Sequence, residues 1–196
     1  PYVLDRVPVD GVPHLLVDLA DTRAAEAATA EIAAQAGGLD AVVTAAGIDV
    51  PGRLSDVPAA DWERVVTVDL LAPAAVIRAA LPHLSPGGHI VTVASTLGVK
   101  AVSDATAYCA AKFGMVGFTR ALSAELAGAY GVTLLIPGGM RTRFFDQRTE
   151  QYKPGPDAVL NDPRHVAQAV LFALQQPAGC TVRELVVCAD VESSYP

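Results

Sequence analysis

Short apolar runs alternate with alanine-rich stretches of helical spacing along this chain, and that alternation restricts the fold more than any other feature. The runs at residues 2–4, 14–17, 39–43, 90–93, 132–136 and 182–188 read as strands. The stretches at 21–36, 60–84, 105–130 and 164–175 read as helices, with Asp21 as an N-cap and a bend near Pro73. Strands joined through helices need crossover connections, so the expected class is α/β with a parallel sheet. A length of 196 residues suits one domain, and 52% hydrophobic against 18% charged residues is ample for a buried core.

The charge balance narrows the partners. A formal net charge of −7 and the absence of any Lys/Arg cluster argue against nucleic acid, whose phosphates need neutralising. The same balance is compatible with a dinucleotide, which is held mainly by backbone donors and helix ends. No signal-peptide pattern and no uninterrupted apolar run of about 18 residues occurs, so neither secretion nor membrane spanning is expected. Three cysteines, at 109, 180 and 188, form no C-x-x-C pair and predict reduced thiols in a cytoplasmic protein. The four histidines show no metal-ligand spacing, and no metal is expected.

Chemistry concentrates at Tyr108-Cys-Ala-Ala-Lys112, with Ser95 thirteen residues upstream. Positions i and i+4 share one helix face. A free phenol, with a pKa of about 10, is a poor proton carrier at neutral pH, and a neighbouring ammonium stabilises its anion. Ser95 closes the run His89-Ile-Val-Thr-Val-Ala-Ser95, at the carboxyl end of a strand, where open α/β sheets place ligands. A hydroxyl there can hold a carbonyl or alkoxide oxygen as charge develops. Proton transfer during carbonyl reduction or alcohol oxidation suits these three groups. A solvated helix face with the same spacing is the competing reading of the Tyr/Lys pair alone.

With five motifs in order, the chain resembles the short-chain dehydrogenase/reductase family over nearly its whole length. Thr44-Ala-Ala-Gly47 is similar to the family's Asn-Asn-Ala-Gly, and Val68-Asp69-Leu70 to its Val-Asn-Leu. Ser95, then Tyr108 with Lys112, match its catalytic serine, tyrosine and lysine, and Pro137-Gly-Gly-Met-Arg-Thr142 matches Pro-Gly-x-x-x-Thr. The resemblance implies a Rossmann-like, doubly wound parallel sheet in three α/β/α layers. It implies NAD or NADP as cofactor and a secondary alcohol or ketone as substrate. Tyr108 would be the general acid/base, Lys112 would lower its pKa and hold the nicotinamide ribose, and Ser95 would position the reacting oxygen. Asp18 and Leu19 would lie near the adenine, and Ala45, Ala46 and Gly47 along the adenosine ribose. Pro137, Gly138, Met140 and Thr142 would run past the nicotinamide. Residues 141–163 would form a substrate lid, with Phe144, Phe145 and Tyr152 suited to an apolar substrate and Arg141, Arg143 and Arg148 to an acidic one. The helices at 60–84 and 105–130 would pack in a homodimer or homotetramer.

Asp5, at the end of the first strand read here, selects the cofactor: a carboxylate there accepts from both ribose hydroxyls of NAD and repels the 2′-phosphate of NADP. Arg6 beside it can receive that phosphate, so NADP stays open. Three departures from the family pattern matter. Asp69 replaces asparagine, and its carboxylate would favour the Lys112 charge and oppose a tyrosinate; Asp69→Asn is expected to retain activity. The glycine-rich turn Thr-Gly-x-x-x-Gly-x-Gly does not occur. The first strand of the family fold is therefore missing from this sequence, and about 30–45 further N-terminal residues are expected in the functional protein. The tail, Asp190 to Pro196, replaces a glycine-rich end, and its Tyr-Pro is expected to dock on the core or on a neighbouring subunit. A non-catalytic dinucleotide-binding or regulatory protein on the same fold is the rival reading.

Overall fold

The computed structural model describes residues 1–195. Six strands, β1 (Val3–Asp5), β2 (His14–Leu16), β3 (Leu39–Thr44), β4 (Leu84–Val93), β5 (Gly131–Pro137) and β6 (Glu184–Val187), are all parallel to their neighbours. They form two sheets, β1-β2 and β3-β4-β5-β6. The two share no ladder among the described residues, and Leu16 and Val43 remain exposed.

Side-chain alternation explains the layers. Ile90 on β4 and Val132 on β5 face one way, into a cluster with Val42, Ile77, Ala80 and Leu122. Val91 and Leu135 face the other way, against Val166. The first cluster is capped by α3 (Ala72–Ala80) and α4 (Thr106–Glu125), the second by α5 (Pro163–Leu174). Helix α1 (Thr22–Ala36) packs on α3. Its ends follow the sequence: the Asp21 carboxylate accepts from the Arg23 and Ala24 N–H groups, and Gly37 closes it at φ 74°.

The helix expected at 60–84 is not one regular piece. It runs as α2 (Ala59–Val66), a π turn (Thr67–Leu71), α3 and a final 3₁₀ turn (Leu81–His83). Pro73 has no N–H to return to the Asp69 carbonyl four residues back, and the ladder widens to i→i+5 there, with Ala72 N–H bonded to Thr67 C=O. The whole run, Ala59–His83, has mean hydropathy 1.7 over 18 residues, enough to cross a membrane by composition, but it carries Asp69 and Arg78 and packs against the sheet. The helix expected to reach residue 130 ends at Glu125, because the chain turns through Gly128 (φ 83°) into β5. Strand β4 begins six residues earlier than its apolar run suggests. The added segment pairs irregularly, Leu39 with Leu84 and then Ala41 with His89.

Candidate active site

The carboxyl ends of β3, β4 and β5 converge on one cleft of about 1250 Å³. It is lined by Asp5 and Arg6 from the end of β1, Ala45 and Gly47 after β3, and Ser95 after β4. Tyr108 and Lys112 come from α4, Pro137 closes β5, and Gly138 to Met140 with Thr142 follow it. The expected residues are thus brought together from five segments, with four exceptions in the lining. Asp18 is occupied elsewhere: its carboxylate accepts two bonds from Arg64, at 2.9 and 3.2 Å, and one from Ala20 N–H. Leu19 and Ala46 do not line the cleft, and Asp69 stands behind Lys112. Thr44, in place of the usual asparagine, leaves its buried Oγ1 without a hydrogen-bond partner.

Ser95 ends β4's run and starts a tight turn, Thr96–Gly98, by accepting the Leu97 N–H on its Oγ at 3.1 Å. That bond takes one lone pair of the oxygen and leaves the hydroxyl proton to be donated, toward the Tyr108 oxygen in the ligand-free protein. The turn lies directly on α4. A Cβ on Gly98 would stand 2.7 Å from the Lys112 carbonyl oxygen, so only glycine lets the serine loop approach this closely. Tyr108 lies in the first turn of α4, where free backbone N–H groups and the helix dipole favour an anion. Lys112, one turn on, has its Nζ 5.5 Å from the Tyr108 ring centre, 3.3 Å from Asp69 Oδ2 and 3.3 Å from Val93 C=O.

The phenol does not end up below its ordinary value. Burial pushes the Tyr108 pKa up, and the pull of Lys112 and a bond from Ser95 do not overcome it; the charges of Asp69 and Asp49 push in the same direction as burial. The expected lowering by Lys112 is therefore present as a contribution and absent as a net result in the ligand-free protein.

Asp49 was not singled out by sequence, although an acidic residue two places after Gly47, at a strand end, is a readable signal. Its carboxylate is 3% exposed and bonds Arg148 of the lid at 2.7 Å. Arg148 stacks on Phe144 and Phe145, at 4.9 and 4.7 Å from their ring centres, and Phe144 packs against the Tyr108 ring at 5.6 Å. The lid thus closes over the phenol through one ion pair and one aromatic contact. Of the three lid arginines, Arg148 alone turns inward; Arg141 and Arg143 stay exposed. Burial raises the Asp49 pKa to about 6 from 3.8, against the opposing pull of Arg148. A carboxyl raised in the folded state favours folding below its unfolded value and loses that contribution as pH rises through the folded value. Relative to Asp49→Asn, the wild type should lose up to about 3 kcal/mol of stability between about pH 4 and pH 6. Denaturant melts across this range would show parallel stabilities if Asp49 titrated normally.

The tail docks on the loops around the site through residues 192–194, while Tyr195, of the expected Tyr-Pro pair, is exposed. Glu192 accepts from Gly139 N–H at 3.0 Å, Ser194 bonds Thr96 at 2.6 Å between hydroxyls, and Lys100 donates to Ser193 C=O at 2.8 Å. The tail therefore ties the loop after β4 to the loop after β5. Pro196, part of the expected docking pair, lies outside the described residues.

The sequence model of the short chain dehydrogenase family matches residues 10–153. The chain belongs to that family. Among relatives of this short-chain dehydrogenase, an uncharacterized oxidoreductase of Staphylococcus aureus is 32% identical over 154 residues, covering 77% of this chain. The chain spans 64% of that relative's length. A probable oxidoreductase of Mycobacterium bovis, EphD, is 34% identical over 181 residues, or 90% of this chain and 30% of that protein. Among solved structures, a short-chain dehydrogenase/reductase described as glucose/ribitol dehydrogenase, from Brucella melitensis, superposes with TM-score 0.80 at 28% identity, covering 94% of this chain and 77% of that one. A short-chain dehydrogenase from Burkholderia cenocepacia in complex with NADP gives TM-score 0.79 at 25% identity, covering 90% and 75%. The parallel α/β sheet of this short-chain dehydrogenase is the Rossmann-type sheet of those structures.

Proposed function

We propose that this protein is an NAD(P)-dependent oxidoreductase that moves hydride between nicotinamide and a secondary alcohol or ketone. The observation that carries the reading is the meeting of Ser95, Tyr108 and Lys112 on one cleft whose far end is lined by Asp5 and Arg6. The residues suit the dinucleotide. The cleft is continuous from Asp5 to Thr142, and Gly47 keeps it open, since a Cβ there would stand 3.2 Å from Asp69 Oδ2 and 3.4 Å from Lys112 Nζ. Asp5 and Arg6 would meet the adenosine ribose, Gly47 and Lys112 the middle of the cofactor, and Gly138, Met140 and Thr142 its nicotinamide end. The nicotinamide, when bound, supplies or accepts the hydride.

In alcohol oxidation Ser95 turns its hydroxyl proton to the substrate oxygen as a hydrogen bond. Tyr108 takes the proton of the alcohol O–H as the carbon gives up its hydride. In ketone reduction Tyr108 returns that proton to the developing alkoxide. Lys112 stabilises the negative charge on the Tyr108 oxygen that this exchange requires, and Phe144 covers the ring beside it. The exposed Leu71 and Phe113, on the two long helical runs, support assembly into a homodimer or homotetramer through that face.

A panel of secondary alcohols offered with NAD⁺ and NADP⁺, read by nicotinamide absorbance, tests the reading. NAD⁺ should be the better acceptor because Asp5 opposes a 2′-phosphate. Asp5→Ala should then raise kcat/KM with NADP⁺ relative to NAD⁺ by about tenfold or more, the loss of one close charge repulsion. An unchanged ratio would remove Asp5 from cofactor selection and leave the choice to Arg6.

A further inference from the structure

Asp69 is fully buried (0% exposed), and Lys112 nearly so (3%). The π turn at Thr67–Leu71 carries Asp69 on the side of the helix facing the loop after β3, where its Oδ1 accepts the Ile48 N–H at 2.8 Å. That bond fixes the carboxylate. Its other oxygen, Oδ2, lies 3.3 Å from Lys112 Nζ and has no hydrogen-bond partner of good geometry among the described residues. Water does not reach the pair, so the attraction is screened far less than on the surface.

The charges around Tyr108 then balance. Lys112 faces it from α4 and Arg148 from the lid; Asp69 faces it from the π turn and Asp49 from the loop after β3. Two cations are matched by two carboxylates. An asparagine at 69 would leave one net positive charge beside the phenol.

We infer that Asp69 is a positioning residue that balances the Lys112 charge and thereby moves the Tyr108 proton step to higher pH than the same site would have with asparagine. This rests on the reading of Tyr108 as the proton carrier. It makes ionisation of the site depend on what binds: a cationic group entering the cleft would restore the net positive charge that the free protein lacks.

The test begins with the ligand-free protein, so that it does not depend on finding a substrate. Tyrosinate absorbance is followed against pH for the wild type and for Asp69→Asn, each compared with the same protein carrying Tyr108→Phe, which isolates the Tyr108 signal. Asparagine keeps the acceptor for the Ile48 N–H. The wild-type phenol should ionise at or above the free value of about 10, and in Asp69→Asn at least about 1 pH unit lower. Equal midpoints, or a higher one in the variant, would overturn the inference. Should Asp69→Asn not fold, Asp69→Ser takes its place: its midpoint should also lie below the wild type's, and an equal or higher one would overturn the inference. Where turnover is found, the acid limb of kcat/KM for alcohol oxidation should move to lower pH by the same amount, which a merely structural residue would not do. A shifted midpoint in a protein that oxidises no alcohol would sustain the charge balance and defeat the proposed function.

Discussion

Tyr108→Phe should lower turnover by about 10²–10⁴-fold, the usual contribution of a positioned proton carrier, without a comparable loss of cofactor affinity. The substitution removes one oxygen and keeps the ring. Phe144, 5.6 Å away between ring centres, and the surrounding Val65 and Ala107 still have the same surface to pack against. Stability should change little, since the hydroxyl gives up one bond, from Ser95, which keeps its own bond to Leu97 N–H. Parallel loss of stability and activity would instead assign the hydroxyl a structural role. Undiminished turnover would favour the rival reading, a dinucleotide-binding protein that performs no chemistry at Tyr108.

The largest stability effect is expected from Lys112→Met. Removing one partner of a buried ion pair leaves the other charge uncompensated, which costs about 3–5 kcal/mol. Asp69, already raised by burial, would rise further without the ammonium beside it. A carboxyl with a raised folded-state pKa contributes to stability below its unfolded value, and that contribution disappears as pH rises through the folded one. The deficit of Lys112→Met should therefore be small in acid and grow toward neutral pH. Adding Asp69→Asn removes the stranded charge and should recover most of the loss. Unfolding curves of the two variants at acid and neutral pH measure both statements; a double variant no more stable than Lys112→Met would show that Lys112 acts through packing or through its bond to Val93 C=O rather than through Asp69.

Local pattern carried the fold a long way. The continuous run Ile90-Val91-Thr92-Val93 predicts a buried strand, and both of its faces are covered. Asp21 and Gly37 bracket α1 by chemistry that acts within a few residues. What sequence leaves out shares a cause, which is that the deciding partner lies far away along the chain. The Asp18 carboxylate is paired with Arg64, 46 residues on, and Arg148 with Asp49, 99 residues away, and neither pairing is readable from local pattern. The π turn is intermediate: Pro73 announces a disturbance, but the i→i+5 bonding that aims Asp69 at Ile48 and Lys112 appears only once the helix is packed. The tail shows the same limit, because Glu192 and Ser194 find their partners at Gly139 and Thr96, on two different loops.

The arrangement also explains why glycine recurs around the lysine. Gly47 and Gly98 approach it from opposite loops, one beside Nζ and the other against its carbonyl, and a side chain at either would separate the segments that must meet. The site is thus assembled by close backbone contact at the strand ends, and its polar groups are then fixed by single bonds: Ser95 by Leu97, Asp69 by Ile48, the lid by Asp49.

The most direct measurement is a nicotinamide-fluorescence titration of the full-length protein with NADH and NADPH, run on the wild type and Tyr108→Phe side by side. We predict saturable binding, tighter for NADH, with closely similar affinities in the two proteins although only the wild type turns over. Binding of neither nucleotide by the folded wild type would contradict the proposal that this cleft holds a dinucleotide beside Tyr108.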